Sequence, residues 1–124
     1  MAHVLFGAVM FNLAEVTRMV EIARALDPAH TASFFGHEDQ YRHLVLEAGF
    51  DHHTLGPPWS AAQRRQALRF DQGKTLRTPF STELVSARVA AERELIRDTG
   101  AQAVVIGTNV TSMISARAED VPLS

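Results

Sequence analysis

Several side chains that can bind a ligand follow strands of the predicted sheet, at the points where those strands end. His37 comes just after an apolar strand at residues 31–35, and Thr108 and Asn109 follow another at residues 103–106. Open parallel sheets bind ligands at the edge where the carboxyl ends of their strands meet. We therefore predict that His37 contacts a ligand, whereas Thr108 and Asn109 either hydrogen-bond a ligand hydroxyl or cap the next helix.

Aromatic and apolar residues flank the same predicted edge. Phe11 and Asn12 lie in the loop after the first strand, where an apolar loop suits either a hydrophobic pocket or ordinary core packing. Trp59, Phe70 and Phe80 flank an arginine-rich segment. These three rings would either close over an apolar ligand or anchor a long loop to the core. We take Phe11, Asn12 and Trp59 as candidate binding residues.

The six histidines of the chain form no recognisable metal site. His37 and His43 are six residues apart, which places them on different faces of a helix, and His52 and His53 point to opposite sides of a strand. No G-x-G-x-x-G run joins a strand to a helix, which argues against a dinucleotide-binding dehydrogenase. We predict neither a metal nor a cofactor. The acidic residues or phosphate loop of a phosphoacceptor or flavodoxin-like domain are also missing after the first strand.

Composition excludes several other classes of protein. The 124 residues suffice for one domain, and a hydrophobic content of 46% is that of an ordinary globular chain. A formal charge of −2 without a basic block argues against nucleic-acid binding. The lack of cysteine excludes disulfides, and the apolar runs are far shorter than the ~20 residues of a membrane span. We expect a cytoplasmic protein that binds small ligands or other proteins, with a homo-oligomer left open.

Strands and helices alternate along the sequence. Continuous apolar runs predict buried strands, and apolar residues three or four apart predict amphipathic helices. Predicted strands cover residues 3–11, 31–35, 50–55 and 103–106, with another beginning at 121–123, and predicted helices cover residues 15–26, 37–48, 82–99 and 109–118. Residues 56–80 are predicted to be mostly a long loop, with at most a helical turn or two near residues 61–70.

This alternation predicts the fold class. Right-handed crossovers between successive strands produce a parallel sheet with helices on both faces. We therefore expect residues 1–124 to form a single Rossmann-like α/β domain, a three-layer sandwich with strand order 3-2-1-4 and a fifth strand just begun. Doubly wound domains carry further strands beyond this point, so we expect the domain to be incomplete or covered by a partner.

Five segments carry signatures that occur in the same order in one protein family. The first is the opening strand at residues 3–6. Residues 16–18 with 23–26 are similar to the pattern GHVTR…ARAL, residues 29–34 to GHEVTF, and residues 47–50 to EAGF. Residues 101–107, 114–117 and 121–123 are similar to PDxVVxD…ISAR…GVPL. Together these segments resemble the N-terminal half of GT-B glycosyltransferases, the nucleotide-sugar-dependent enzymes that modify lipids and natural products.

The resemblance implies two facing Rossmann-like domains, of which this chain supplies most of the first, the acceptor-binding one. The nucleotide-sugar donor would bind to a missing C-terminal domain or to a partner subunit, so the chain alone would be inactive. The parent protein would be an inverting transferase, of the hexosyltransferase type, that moves a sugar to the hydroxyl of a small apolar acceptor. Two alternatives stay open: a non-catalytic module that binds a ligand or a partner, and one subunit of a two-chain glycosyltransferase.

The resemblance also identifies the position of the general base that takes the proton of the acceptor hydroxyl. Glu15 stands where the family has a histidine, and Gly107 stands where it has a strand-end aspartate. Burial beneath a bound acceptor would make the Glu15 carboxylate a stronger base, whereas its place in the first turn of a helix favours the ionised form. Glu15 is therefore the candidate catalytic residue, with a surface contact to Arg18 as the alternative.

Overall fold

The computed structural model describes residues 2–26, 28–76 and 80–124 and contains a four-stranded parallel sheet with helices packed on both faces. The strands are β1 (His3–Gly7), β2 (Thr31–Gly36), β3 (Asp51–Thr54) and β4 (Ala103–Ile106), in the order β3-β2-β1-β4. The helices are α1 (Leu13–Arg24), α2 (Arg42–Glu47), α3 (Ala61–Asp71), α4 (Thr82–Thr99) and α5 (Thr111–Ala118). The predicted α/β class and strand order are confirmed.

The sheet separates two apolar clusters. On one face the rings of Phe6 and Phe34 stack with centroids 5.1 Å apart and pack against the buried side of α1. On the other face Leu5 and Phe35 pack against the buried side of α4. Neighbouring residues of one strand therefore face opposite helical layers, and this is why the strands are continuous apolar runs.

The first strand and the second helix are shorter than the sequence predicts. β1 ends at Gly7, so residues 8–12 form a loop over the edge of the sheet instead of extending the strand to residue 11. α2 begins at Arg42, and residues 37–41 form a second loop at the same edge. An apolar run does not by itself distinguish a buried strand from a buried loop, which explains the first error. Both differences bring loop residues to the carboxyl ends of β1 and β2.

The predicted helical turn or two near residues 61–70 is too short, because α3 extends over 11 residues at the centre of the segment 56–80. A capping box starts this helix: the Ser60 hydroxyl accepts from the Gln63 N–H at 3.2 Å, and the Gln63 side chain accepts from the Ser60 N–H at 2.8 Å. Arginine and glutamine occupy many positions of α3, so its apolar stripe is weak in the sequence. Residues 77–79 of the predicted loop lie outside the described residues.

The chain after α5 runs beside β4. The Val104 N–H donates to the Pro122 carbonyl at 2.9 Å, and the Ser124 N–H donates to the Val104 carbonyl at 2.8 Å. Val104 and Leu123 form a parallel bridge. The predicted beginning of a fifth strand at residues 121–123 is confirmed.

Candidate functional site

A small pocket lies at the carboxyl edge of the sheet. It is formed by the loops after β1 and β4, the end of β2, the segment before α3 and one face of α4. It is lined by Ala8, Val9, Met10, Phe11, His37, Glu38, Trp59, Phe80, Arg88, Thr108 and Asn109. Its volume of about 20 Å³ is room for one water-sized group.

Glu92 is a buried carboxylate next to this pocket. It lies on α4 and is 1% exposed. Its Oε2 is 2.6 Å from the Nε2 of His37 and accepts from the Thr111 hydroxyl at 2.6 Å. Its Oε1 accepts from the hydroxyls of Ser112 at 3.0 Å and Ser115 at 2.8 Å. Side-chain donors thus replace the water that would solvate an exposed carboxylate.

These partners favour the ionised form of Glu92. Burial alone would raise the pKa of Glu92, but the hydrogen bonds from His37, Thr111 and Ser115 hold it below its ordinary value, and the charge of His37 lowers it further whenever that ring is protonated. An ionised carboxylate only accepts hydrogen bonds. The Nε2 atom of His37 must therefore donate, which leaves the lone pair of Nδ1 free in the neutral ring.

Trp59 forms the aromatic side of the pocket. The centroid of its ring is 5.9 Å from that of Phe11 and 5.2 Å from that of Phe80, and the Arg88 guanidinium lies 4.6 Å from it. The backbone N–H of Trp59 donates to the Glu38 carboxylate at 2.6 Å. The segment before α3 is thereby fixed to the end of β2. Burial lowers the pKa of Arg88, although Glu38 and Glu92 offset part of this effect.

Three residues that line the pocket carry buried polar atoms without a hydrogen-bond partner. These atoms are Nδ1 of His37, Nε1 of Trp59 and a terminal nitrogen of Arg88, and His52 Nε2 is the one further example in the described part of the chain. An unpaired buried polar atom costs on the order of 1–3 kcal/mol. All three residues line the pocket, so a polar group bound there would face side chains that still have a donor or an acceptor to offer.

Glu15 is buried elsewhere on the same sheet edge. Its Oε1 accepts from the N–H and the hydroxyl of Thr108 at 2.9 and 3.0 Å, and its Oε2 accepts from the Val9 N–H. A Cβ on Gly107 would lie 2.1 Å from Oε1, so the glycine provides the space for the carboxylate. Glu15 is 1% exposed, and the predicted surface contact with Arg18 is wrong because the side chain turns inward.

The structure brings most of the predicted site residues together. The five residues Phe11, His37, Trp59, Thr108 and Asn109 all line the pocket. Asn109 does not cap the backbone of α5; its amide donates to Glu92 at 3.3 Å and to a serine hydroxyl of α5 at 2.9 Å.

The two remaining predicted residues lie outside the pocket lining. Asn12 caps α1, because its side chain accepts from the Glu15 N–H at 3.2 Å. Glu15 joins the loops after β1 and β4 through its bonds to Val9 and Thr108.

Sequence reasoning missed Glu92 and Arg88. Both lie on the buried face of α4, in line with Leu84 and Ile96 at spacings of four residues. Two charged residues within the apolar stripe of a long helix are an unusual pattern, since charges are rarely buried without partners. That pattern was the available signal.

Neither a metal-ligand cluster nor a membrane-spanning helix occurs among the described residues. No group of three or more His, Asp or Glu side chains there could hold a metal ion. Likewise, no helix in residues 2–26, 28–76 and 80–124 is long and apolar enough to cross a membrane.

The chain is similar in sequence to mycobacterial glycosyltransferases. Over 121 residues it is 28% identical to a PGL/p-HBAD biosynthesis glycosyltransferase of Mycobacterium tuberculosis and to an inactive PGL/p-HBAD biosynthesis glycosyltransferase of Mycobacterium bovis. These matches cover 97% of the chain but only 27% of the M. tuberculosis protein and 31% of the M. bovis protein, so the chain spans less than a third of their length. No protein-family model matches the chain.

Two solved structures share the fold. MurG of Acinetobacter baumannii matches 99% of the chain with a TM-score of 0.69 and 12% identity, and the glycosyltransferase VinC in complex with DTDP matches 98% with a TM-score of 0.67 and 16% identity. The chain covers 34% and 33% of these two proteins. The predicted resemblance and the Rossmann-like fold are confirmed.

Proposed function

We propose that this GT-B glycosyltransferase half-domain is the acceptor-binding half of an inverting glycosyltransferase that acts in the cytoplasm. The donor is a nucleotide sugar, which binds to a second domain or to a partner subunit. The acceptor is a small apolar molecule whose hydroxyl receives the sugar once a base removes its proton. The chain alone is inactive in this proposal.

The position and lining of the pocket carry this proposal. The pocket lies at the carboxyl ends of β1, β2 and β4, where open parallel sheets bind ligands. Its walls combine the rings of Phe11, Trp59 and Phe80 with the polar groups of His37 and Arg88. Apolar walls with a few polar groups suit a small apolar molecule that bears a hydroxyl. Because the space is about 20 Å³, one or more of the rings must move to admit a whole acceptor.

Two observations support a donor site outside this chain. No G-x-G-x-x-G run in the sequence joins a strand to a helix and could hold a diphosphate. VinC, whose structure contains DTDP, is about three times as long as the part that this chain matches.

Fluorescence of Trp59 tests acceptor binding, because Trp59 is the only tryptophan and lines the pocket. We expect p-cresol to change the emission of the chain, and the Phe11→Ala variant to weaken this response. The control is Leu68→Ala, at an exposed residue of α3. Equal responses of both variants would contradict an acceptor site in this pocket.

Calorimetry tests the donor side. We expect the chain alone to bind neither UDP-glucose nor dTDP-glucose in the micromolar range. The full reading frame that encodes this chain, or the chain mixed with its partner subunit, should transfer sugar with inversion at the anomeric carbon. Micromolar binding of a nucleotide sugar by the chain alone would contradict the placement of the donor site.

A non-catalytic binding module is the second candidate function. It is favoured by the name of the M. bovis relative, an inactive glycosyltransferase. It is also favoured by Glu15, whose oxygens are occupied by Val9 and Thr108. Ligand binding at Trp59 without sugar transfer by the full reading frame, across a set of nucleotide sugars and alcohols, would support this candidate over the first.

A further inference from the structure

The unpartnered atoms of the pocket define the kind of group that fits there. In the neutral His37 ring, Nδ1 is a hydrogen-bond acceptor, because Nε2 donates to the ionised Glu92. Trp59 Nε1 and the Arg88 nitrogen are donors. A ligand group that pairs with all three must carry both a hydrogen to donate and lone pairs to accept, and a hydroxyl meets this requirement. A carboxylate would leave His37 Nδ1 unpaired, and an ammonium group would leave both donors unpaired.

We propose that His37 is the catalytic base of this half-domain, that Glu92 is its positioning residue, and that Arg88 and Trp59 bind the oxygen of the acceptor hydroxyl. The inference rests on the proposed function and deepens it. It moves the base from Glu15, after β1, to the end of β2. The reason is geometric: the oxygens of Glu15 are occupied, whereas one nitrogen of His37 is not.

The proton transfer follows from this arrangement. The O–H bond of the acceptor breaks, its proton passes to Nδ1 of His37, and the oxygen electron pair forms the bond to the anomeric carbon of the sugar. The bond between that carbon and the diphosphate of the nucleotide sugar breaks, and the nucleoside diphosphate leaves with that electron pair. The proton on His37 then passes to the leaving diphosphate or to solvent. Arg88 stabilises the negative charge that develops on the acceptor oxygen.

The surroundings of His37 support the charged ring that forms in this step. Glu92 of α4 is bonded to the imidazole at 2.6 Å and stabilises a positive charge on it. The other charged groups that line the pocket are Glu38, next in sequence, and Arg88 of α4. Arg88 lies 4.0 Å from Glu38, so its charge is partly compensated.

Nitrogen NMR of the unmodified chain, with labelled histidine, tests the tautomer and the ligand together. We expect the hydrogen of neutral His37 on Nε2, and we expect p-cresol to shift the Nδ1 resonance. Toluene, which has the same ring and no hydroxyl, should leave Nδ1 unshifted at equal concentration. A hydrogen on Nδ1, or equal shifts with p-cresol and toluene, would overturn the proposal.

Kinetics of the full reading frame test the base. We expect His37→Gln to lower kcat by about 100-fold or more with little change in KM, in the range of general-base removal. Glu92→Gln should cause a smaller loss and move the acidic limb of the kcat/KM profile to lower pH, because the charge that favours the protonated ring is gone. His43→Gln, at an exposed histidine of α2, is the matched control and should match the unmodified enzyme.

The outcomes separate this inference from the proposed function. A His37→Gln enzyme with unchanged kcat would overturn the role of His37 while leaving the glycosyltransferase proposal intact. An enzyme without any sugar transfer, whose Nδ1 still responds to p-cresol and not to toluene, would refute the base and the proposed function together but support the hydroxyl site. Unfolding of Glu92→Gln would not affect the NMR arm, which uses the unmodified chain.

Discussion

Two buried carboxylates at the same edge of the sheet, Glu15 and Glu92, have different kinds of partner. Glu15 is bound by the N–H groups of Val9 and Thr108 and by one hydroxyl, so its oxygens face backbone donors. Glu92 is bound by side chains, and one of them, His37, has a second nitrogen without a partner among the described residues. The complete set of partners around Glu15 fixes the loops after β1 and β4. The incomplete set around Glu92 leaves Nδ1 of His37 available to a ligand.

The difference also determines how each site responds to change. Backbone N–H groups only donate and have fixed directions. The side chain at position 15 must therefore present an acceptor oxygen to each of the N–H groups of Val9 and Thr108. The hydroxyls of Thr111, Ser112 and Ser115 can rotate and either donate or accept. The region around Glu92 should therefore adapt to a substitution more easily than the region around Glu15.

The largest effect is expected from Gly107→Ala. The added methyl would lie 2.1 Å from Oε1 of Glu15, so the carboxylate must move and lose its bonds to Thr108. We expect a loss of about 3 kcal/mol in the free energy of unfolding, measured with urea. Gly56→Ala is the control, because an added methyl there meets nothing within 4 Å.

The double variant Glu15→Ala with Gly107→Ala checks the cause of this loss. Without the carboxylate the methyl has space, so the double variant should be more stable than Gly107→Ala alone. If the two substitutions were simply additive, the Cβ contact would not be the reason for the glycine, and the description of Glu15 as part of a closed set would fail.

The second comparison is Glu15→Gln with Glu92→Gln. At position 15 the amide must turn its NH₂ toward the N–H of Val9 or of Thr108, so we expect a loss of about 2 kcal/mol. At position 92 the neighbouring hydroxyls can rotate to accept from the amide, so we expect about 1 kcal/mol. Urea unfolding of both variants at pH 7 measures the difference. A larger loss of unfolding free energy for Glu92→Gln than for Glu15→Gln would contradict the idea that the hydroxyls around Glu92 adapt more easily than the backbone N–H groups around Glu15.

The sequence predicted the fold more completely than the site. Apolar runs and helical spacing predicted the strands and most helices, because such patterns can be recognised from a few neighbouring residues. The rule of right-handed crossovers then predicted the strand order. The helix at Ala61–Asp71 was predicted only as a turn or two because its stripe of apolar residues is weak. One partner of Glu15, Thr108, by contrast lies 93 positions away in the chain. Neither the inward turn of Glu15 nor the space beside Gly107 is encoded in local spacing.

The residues of the pocket could be predicted only in part. His37, Thr108 and Asn109 could be predicted because strand ends of a parallel sheet meet at one edge. Glu92 could not be placed with them, because it lies in the middle of α4, far from any strand end in sequence. The packing of α4 against α5 brings it to the hydroxyls that bind it, and the loop after β2 brings His37 to it.

His52 also has a buried nitrogen without a partner, Nε2, but it does not line the pocket. Burial lowers the pKa of His52 to about 4, and the charges of Arg42 and His53 add to this effect. An unfolded histidine titrates near ~6.5, so the unfolded state binds more protons between these values and stability falls as the pH falls through that window. The linkage between these two pKa values amounts to about 2 kcal/mol between pH 7 and 4.5. Because part of the residue reaches solvent and is screened, we expect His52→Gln to remove about 1 kcal/mol of that loss.

Urea unfolding at several pH values checks the His52 prediction, with His43→Gln as the control on an exposed histidine. Glu92 affects stability in a different pH range. Because its pKa is lowered in the folded state, the stability that it contributes is lost only as the pH falls below the ordinary pKa of glutamate. We also expect the His52 ring resonances to stay unchanged when p-cresol is added. A response equal to that of His37 would show that an unpartnered atom alone, without the pocket, suffices to bind the probe.

The smallest effect is expected at Glu119, a carboxylate near the surface that contrasts with both buried ones. It accepts from Arg93 at 2.8 Å and from Arg97 at 3.2 Å; both arginines are well exposed, whereas the Glu119 side chain is 12% exposed. Ion pairs whose basic partners reach solvent contribute little and are screened by salt. We expect Glu119→Gln to cost about 0.5 kcal/mol at low salt and close to nothing in 0.5 M NaCl, at which the Debye length is only ~4 Å. Because burial shields Glu92 from salt, the cost of Glu92→Gln should stay the same in both conditions. Equal salt dependence of the two variants would mean that Glu92 is solvated like a surface group, and the distinction between structural, ligand-facing and surface carboxylates would not hold.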